Sequence, residues 1–187
     1  WEPASLAAFI EEVRTVLPDV GGVPVMVHES SELMLQGYRD AGVYALVVVV
    51  LCLLVHFRNL WETAVALLSL AVGVLWMLGA MAVCKVDLNP ANLVALPLLL
   101  GVGIDTAVHV IHRGRGVFDE STPFLATGLG RALIYSGLTS VVGFGSLLVS
   151  NHPGTASIGS TISLGVLGCV LAGLSLPPAL LRIRTAG

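Results

Sequence analysis

The sequence predicts an all-α polytopic membrane protein, with five transmembrane helices preceded by a short α/β segment. Hydrophobic residues make up 56% of the chain and charged residues only 11%, whereas about 25% of the residues in a soluble domain are charged. The mean hydropathy is +0.92. Five apolar runs each approach or exceed the roughly 18–20 residues that cross the hydrocarbon core of a bilayer.

The first 40 residues are water-soluble in character and hold most of the acidic residues. An apolar stripe at helical spacing predicts a helix over residues 3–17; its members are Leu6, Phe9, Ile10, Val13 and Leu17. After a Pro-Asp-Val-Gly-Gly break, the run at residues 23–28 predicts a short strand. Ser30 and Ser31 then predict the start of a helix that runs into the first span. Residues 1–40 therefore form the α/β segment.

The membrane domain is predicted to cover residues 41–184, with a short tail at 185–187. Its five predicted spans are residues 41–57, 63–84, 93–111, 132–149 and 158–181. The segments that connect these spans are short, which favours sequential, mostly antiparallel neighbours.

The basic residues predict the orientation of the spans. In a five-span arrangement one side holds six arginines, and these are Arg58, Arg113, Arg115, Arg131, Arg182 and Arg184. Only Arg39 and Lys85 flank spans on the other side. The positive-inside rule therefore predicts a cytoplasmic C-terminus and an extracytoplasmic N-terminal segment.

The charge and the cysteines exclude several classes of function. A net charge of -3 and the absence of a single basic patch argue against nucleic acid as a partner. The three cysteines lie in or beside apolar runs, so we interpret them as small packing residues and predict neither a metal site nor a cofactor. Because the chain opens on Trp1, we expect it to be a fragment of a longer protein.

Asp105 is the main candidate functional residue, because it is the only acidic residue in the interior of a predicted span. A carboxylate at mid-membrane costs about 2.5–3.5 kcal/mol on insertion scales and is by default a functional residue. His109 and His112 follow at spacings that share its helix face. The pattern favours a proton relay; a metal site and a structural Asp paired with a polar neighbour are the alternatives. His112, beside Arg113, is better interpreted as an interfacial residue.

Small and hydroxyl-bearing residues accompany Asp105. Gly101 and Gly103 precede it and predict close helix packing or local flexibility. Ser136, Thr139 and Ser140 share one face of the fourth span. Their hydroxyls can donate to or accept from an acid, although hydroxyls also join membrane helices without any proton role.

These motifs resemble those of the resistance-nodulation-division (RND) transporters. The stretch PLLLGVGIDTAVHVIHR and the later LIYSGLTSVVGFGSLLVSNHPGTASIG are similar to the MMPL-like, lipid-exporting branch, especially the hopanoid transporters of bacterial inner membranes. The resemblance covers about residues 23 to 184. It implies twelve spans in two similar halves, of which this chain matches the end of the second periplasmic porter domain and spans eight to twelve.

The resemblance also implies roles for the candidate residues. Asp105 matches the acid of span ten, which in such transporters forms the proton relay with an acid of span four. Ser136, Thr139 and Ser140 match polar positions that line this relay. His109 is a further supporting group because of its spacing from Asp105, not because of the resemblance. The proton-motive force is then the driving force, a hydrophobic lipid is the substrate, and a homo-oligomer in the bacterial inner membrane is the expected assembly, with the remainder of the same chain as partner.

Two other hypotheses remain. A non-catalytic membrane module that binds a lipid or sterol, or supports a partner, is the first, because the same branch resembles sterol-sensing and protein-export subunits. An intramembrane hydrolase using Asp105 and His109 is the second, and it is disfavoured because no second intramembrane carboxylate, HExxH or GxSxG motif is present. We therefore expect a transporter and not an enzyme.

Overall fold

The computed structural model of the chain describes residues 3–17, 20–114 and 127–185, and this part of the chain is entirely helical. The helices are α1 (Pro3–Val16), α2 (Val23–Phe57), α3 (Leu60–Val83), α4 (Ala95–Gly114), α5 (Gly128–Gly145) and α6 (Pro153–Thr185). A 3₁₀ turn at Asn92–Val94 precedes α4, and another at Ser146–Val149 follows α5. Five helical segments of the described chain are long and apolar enough to cross a membrane, which confirms the predicted number of spans.

The predicted strand at residues 23–28 was wrong, because these residues form the first turns of α2 and no strand occurs in the described part of the chain. A short apolar run cannot be assigned to a strand or a helix by periodicity alone. Pro24 lies in the first turn, where a missing N–H is tolerated and a fixed φ favours the helix. The short α/β segment is therefore a pair of helices.

The predicted helix start at Ser30 and Ser31 was also wrong, although the continuation into the first span is confirmed. Ser31 lies inside α2, where its Oγ donates to the carbonyl oxygen of Val27 at 2.8 Å and caps nothing. With 35 residues, α2 is about 52 Å long, whereas the hydrocarbon core is about 30 Å thick. The helix therefore extends well beyond the membrane on the side where α1 lies.

Helix α1 packs against this extension of α2. Leu6 and Ile10 of the predicted stripe are buried with Val25, whereas Phe9 and Leu17 of the same stripe are exposed. An ion pair between Arg14 and Glu29 joins the two helices beyond this cluster. The predicted helix over residues 3–17 is thus confirmed, but only half of its apolar stripe is covered.

Helix α6 is the centre of the bundle and contacts α3, α4 and α5. Small residues make the approach close: a Cβ on Gly168 would lie 2.6 Å from the carbonyl oxygen of Gly73, and a Cβ on Gly73 would lie 2.7 Å from Cα of Cys169. Such contacts are the usual means of packing helices in lipid, where burial of apolar surface gives no driving force.

Helices α2 and α5 form the margins of this bundle. Only 11% of the most apolar window is buried in each of them, against 39–44% in α3, α4 and α6. Sequential reversals place the end of α2, the start of α3 and the end of α4 on one side, which we call the arginine end because Arg58 and Arg113 lie there. The opposite side, with α1 and the start of α4, is the head end.

Candidate functional site: an intramembrane carboxylate beside a polar cavity

Asp105 lies in the middle of α4, on a face that the rest of the described bundle leaves uncovered. The face of α4 that packs on α3 and α6 is made of buried residues, among them Gly103, Thr106 and Ala107. Asp105 and His109 are exposed on the opposite face. Helix α4 is therefore two-sided, with an apolar face inside the bundle and a polar strip outside it.

A cavity of about 140 Å³ opens beside Asp105, between α4, α5 and α6. Five of the predicted site residues line this cavity, namely Gly103, Asp105, His109, Ser136 and Ser140. The apolar remainder of the wall includes Val166 and Val170 of α6. Residues that are separated by more than thirty positions along the chain thus meet around one carboxylate.

Two of the predicted site residues, Thr139 and Gly101, lie outside this cavity. Thr139 is on the exposed side of α5, outside the lining of the cavity. Gly101 is exposed, and no atom lies within 4 Å of where its Cβ would be. Gly103, in contrast, lines the cavity and touches α6, because its Cβ would lie 2.6 Å from Sγ of Cys169. In this bundle the close helix approach beside Asp105 is therefore a property of Gly103.

The hydroxyls of α5 share one acceptor. Thr139 Oγ1 donates to the carbonyl oxygen of Ser136 at 2.9 Å, and Ser140 Oγ donates to the same oxygen at 3.0 Å. Since a hydroxyl has one hydrogen and two lone pairs, the Ser140 hydroxyl presents only lone pairs to the cavity. It is consequently suited to accept a hydrogen bond from a protonated carboxyl group or from water.

The Asp105 carboxylate itself makes no hydrogen bond or ion pair with any residue that the structure describes. A charged group without a partner is very costly at membrane depth. The cavity thus brings this carboxylate together with a hydroxyl whose hydrogen is already donated to Ser136 and with the His109 imidazole. No group of three or more metal-ligating side chains occurs among the described residues.

Comparison with known proteins identifies the family. The family model described as "MMPL family" matches residues 6–186. The chain belongs to the MMPL family.

Curated relatives of this MMPL chain include transporters. It is 34% identical to a hopanoid transporter, HpnN, of Rhodopseudomonas palustris over 95% of its own length and 20% of that protein. It is 30% identical to the hopanoid transporter of Burkholderia multivorans over 90% of its length and 19% of that protein. A putative membrane protein of Methanocaldococcus jannaschii is 30% identical over 87% of the chain and 44% of that protein.

The MMPL chain thus spans about a fifth of the length of the hopanoid transporters that it matches. The resemblance inferred from the Asp105 motif and the hydroxyl-rich span is confirmed at the level of the family. The protein is a multi-pass membrane protein, and two of these relatives are named as transporters.

One polar cluster in this MMPL chain was not recognised as a unit from the sequence. Asn89 and Asn92 exchange hydrogen bonds, each backbone N–H donating to the other's Oδ1, at 2.9 and 3.0 Å. Both side-chain amides also donate to Ser157 Oγ on α6, at 2.8 and 2.9 Å. The spacing of the two asparagines suggested a helix cap, but nothing in the sequence pointed to Ser157, 65 residues further on.

Asn92 is fully buried, and its amide makes a further bond to the carbonyl oxygen of Asp87 at 2.8 Å. The start of the Asp105 helix is therefore fixed to the central helix at the head end of the bundle. A second attachment of α4 to α6, near the middle of α4, is the contact of Gly103 with Cys169. These two attachments set the height and the rotation at which α4 presents Asp105.

Proposed function

We propose that the chain is a membrane portion of a proton-motive-force-driven RND-type exporter of hydrophobic lipids, with Asp105 as its proton carrier. The observation that carries the proposal is the Asp105 carboxylate, which lies at mid-helix beside a cavity of about 140 Å³ lined by hydroxyl and imidazole groups. Membership of the MMPL family and similarity to hopanoid transporters support the class of transport.

The protonation states of Asp105 would interact differently with the cavity. When protonated, the carboxyl group is a donor and would bond, through cavity water or after a closer approach, to the lone pairs of Ser140, whose own hydrogen is engaged with the carbonyl oxygen of Ser136. When ionised, the carboxylate cannot bond to that hydroxyl without breaking this interaction, so it favours water or a cationic partner such as protonated His109. Two different environments for one group are what a proton-driven conformational change requires.

The uncovered position of Asp105 supports a larger bundle in the working transporter. An unpaired acid facing lipid would cost several kcal/mol, so intramembrane acids almost always face other helices or water. The exposed strip of α4 is therefore a surface for further helices of the same transporter, consistent with the much greater length of the hopanoid transporters. A second membrane acid on those helices would complete the relay.

The substrate and the setting follow from the relatives. We propose a hydrophobic lipid of the hopanoid kind as the substrate, because two relatives are named as hopanoid transporters. The positive-inside rule favours a cytoplasmic arginine end and a periplasmic head end. We further propose that the protein lies in a bacterial inner membrane as a homo-oligomer.

The test is Asp105→Asn in the full-length transporter, reconstituted in vesicles and assayed for lipid export driven by a proton gradient. The asparagine side chain has nearly the same shape as that of aspartate, but it cannot take up or release a proton as a carboxyl group does. We expect export to fall to the level seen without a gradient, while the yield of folded protein stays normal. Asp87→Asn, on the exposed loop before α4, is the matched control and should export normally. Gradient-driven export by folded Asp105→Asn would refute the proposal.

A further inference from the structure

Two histidines from different helices meet at the arginine end of the bundle. His56 lies in the last turn of α2, and His112 lies in the last turn of α4. Their ring centroids are 5.8 Å apart and the rings are inclined by 48°. The two histidines are 56 positions apart in the sequence, so only the packing of α2 on α4 brings them together.

The surroundings of the pair are well packed, although both rings are exposed. Leu53 and Phe57 flank His56 on α2, and Ile111 precedes His112 on α4; all three are buried in one cluster. Phe57 also holds the His56 ring edge-on, with ring centroids 4.9 Å apart. The two rings therefore project from fixed helix ends, with access to water on their outer sides.

His112 continues the polar strip that starts at Asp105. Along α4, Asp105, His109 and His112 follow one another at intervals of four and three residues, which is about one helical turn each. His109 lines the cavity beside Asp105, and His112 contacts His56. Groups that exchange protons thus follow each other from the middle of α4 to its end.

Imidazole is suited to this task. It accepts a proton on one ring nitrogen and releases one from the other, so a neutral ring is restored after each transfer. Among the side chains that the structure describes, the other charged groups at this end are Arg58 on α2, Glu62 on α3, Arg113 on α4, Arg131 on α5 and Arg182 on α6. The arginines stay protonated and therefore relay nothing.

We propose that His56 and His112 form the outlet of the proton path, passing protons between His109 and the water at the arginine end. This inference rests on the proposed function of Asp105. Each proton leaves the Asp105 carboxyl group, is taken up by His109, and reaches the His112–His56 pair, which releases it to water. A second proton, entering from the head end, then restores the Asp105 carboxyl group, and the imidazole rings regain their starting tautomers by rotation. The net result of one cycle is one proton moved from the head end to the arginine end.

The experiment uses His56→Gln, His112→Gln and the double variant in the full-length transporter reconstituted in vesicles. Gradient-driven export is measured while the pH on the arginine side is varied. Wild-type export is expected to depend on this pH, because protons are released at the arginine end through the histidine pair. The variants are expected to export several-fold more slowly and to lose this pH dependence. His28→Gln and His152→Gln, at the head end, where His28 is half-buried and His152 is exposed, are matched controls and should keep the wild-type pH dependence.

Chemical rescue separates proton transfer from a merely structural contact. Imidazole added on the arginine side should restore most of the export of His112→Gln, since a small diffusible base can replace the missing ring. It should not restore Asp105→Asn. A wild-type pH profile in the double variant, or a loss that imidazole does not rescue, would overturn the outlet.

The two proposals fail in distinguishable ways. If Asp105→Asn abolishes export while the histidine variants behave as wild type, the proton carrier stands and the outlet is refuted. If folded Asp105→Asn exports normally, the proposed function is refuted, and the outlet with it.

Discussion

Replacing Gly168 by alanine tests the contact at the centre of the bundle. The added Cβ would lie 2.6 Å from the carbonyl oxygen of Gly73, whereas ordinary C···O contacts between helices are about 3.3–3.6 Å. The neighbouring atom belongs to the backbone of α3, so no side chain can move aside. Helices α3 and α6 must therefore separate by about 0.7 Å or more.

Two opposing effects set the size of the change in stability. Overpacking of this kind costs about 1–3 kcal/mol, and a gap of 0.5–1 Å forfeits a quarter to a half of the dispersion energy at the contacts that open. Alanine in a helix interior recovers about 1 kcal/mol relative to glycine. We therefore expect Gly168→Ala to lower the free energy of unfolding by about 1–2 kcal/mol.

Gly79→Ala is the matched control, because Gly79 lies in α3 and no atom is within 4 Å of its Cβ position. Only helix propensity acts there, so this variant should gain about 0.5–1 kcal/mol. The free energy of unfolding is measured for both variants in the full-length transporter by titration with sodium dodecyl sulfate in mixed micelles. If Gly168→Ala is as stable as Gly79→Ala, the close approach of α3 and α6 is refuted.

Two further predictions concern buried polar groups. Asn92 is fully buried, and Asn92→Ala removes one hydrogen-bond partner each from Asn89 and Ser157. We expect it to lower the free energy of unfolding by about 1–3 kcal/mol. A decrease of less than about 0.3 kcal/mol in the same titration would contradict the hydrogen bonding of this cluster. Thr161 is fully buried, and its hydroxyl has no hydrogen-bond partner among the described residues, so Thr161→Val should raise the unfolding free energy by about 1 kcal/mol. A loss of stability in Thr161→Val would instead indicate a partner for that hydroxyl.

The start of α2 was assigned to the wrong kind of secondary structure from the sequence. Residues 23–28 have the composition of a strand, and a run this short has no periodicity that distinguishes the two structures. Features outside this short run favour the helix. Pro24 lies in the first turn of a helix of 35 residues, and α1 covers one side of that helix. Packing partners of this kind are not visible in the local sequence.

The candidate site was predicted in part. Helical spacing correctly grouped Asp105 with His109, and Ser136 with Ser140, and all four line one cavity. The same spacing also grouped Thr139 with the site, yet it lies on the outer side of α5. Periodicity gives a helix face about 100° wide, and only the actual neighbours decide which edge of that face meets the cavity.

The sequence by itself determined that this chain has five segments long and apolar enough to cross a membrane, and that Asp105 lies in the interior of one of them. Both conclusions depend on local properties, namely the length of apolar runs and the cost of charge in hydrocarbon, and neither requires knowledge of the neighbours. The tertiary structure alone decided that Gly103 touches Cys169, that Ser157 binds both asparagines, and that His56 meets His112. These are contacts between distant segments, and they depend on how α6 and α2 are rotated against α4, which no residue pattern within a single helix specifies.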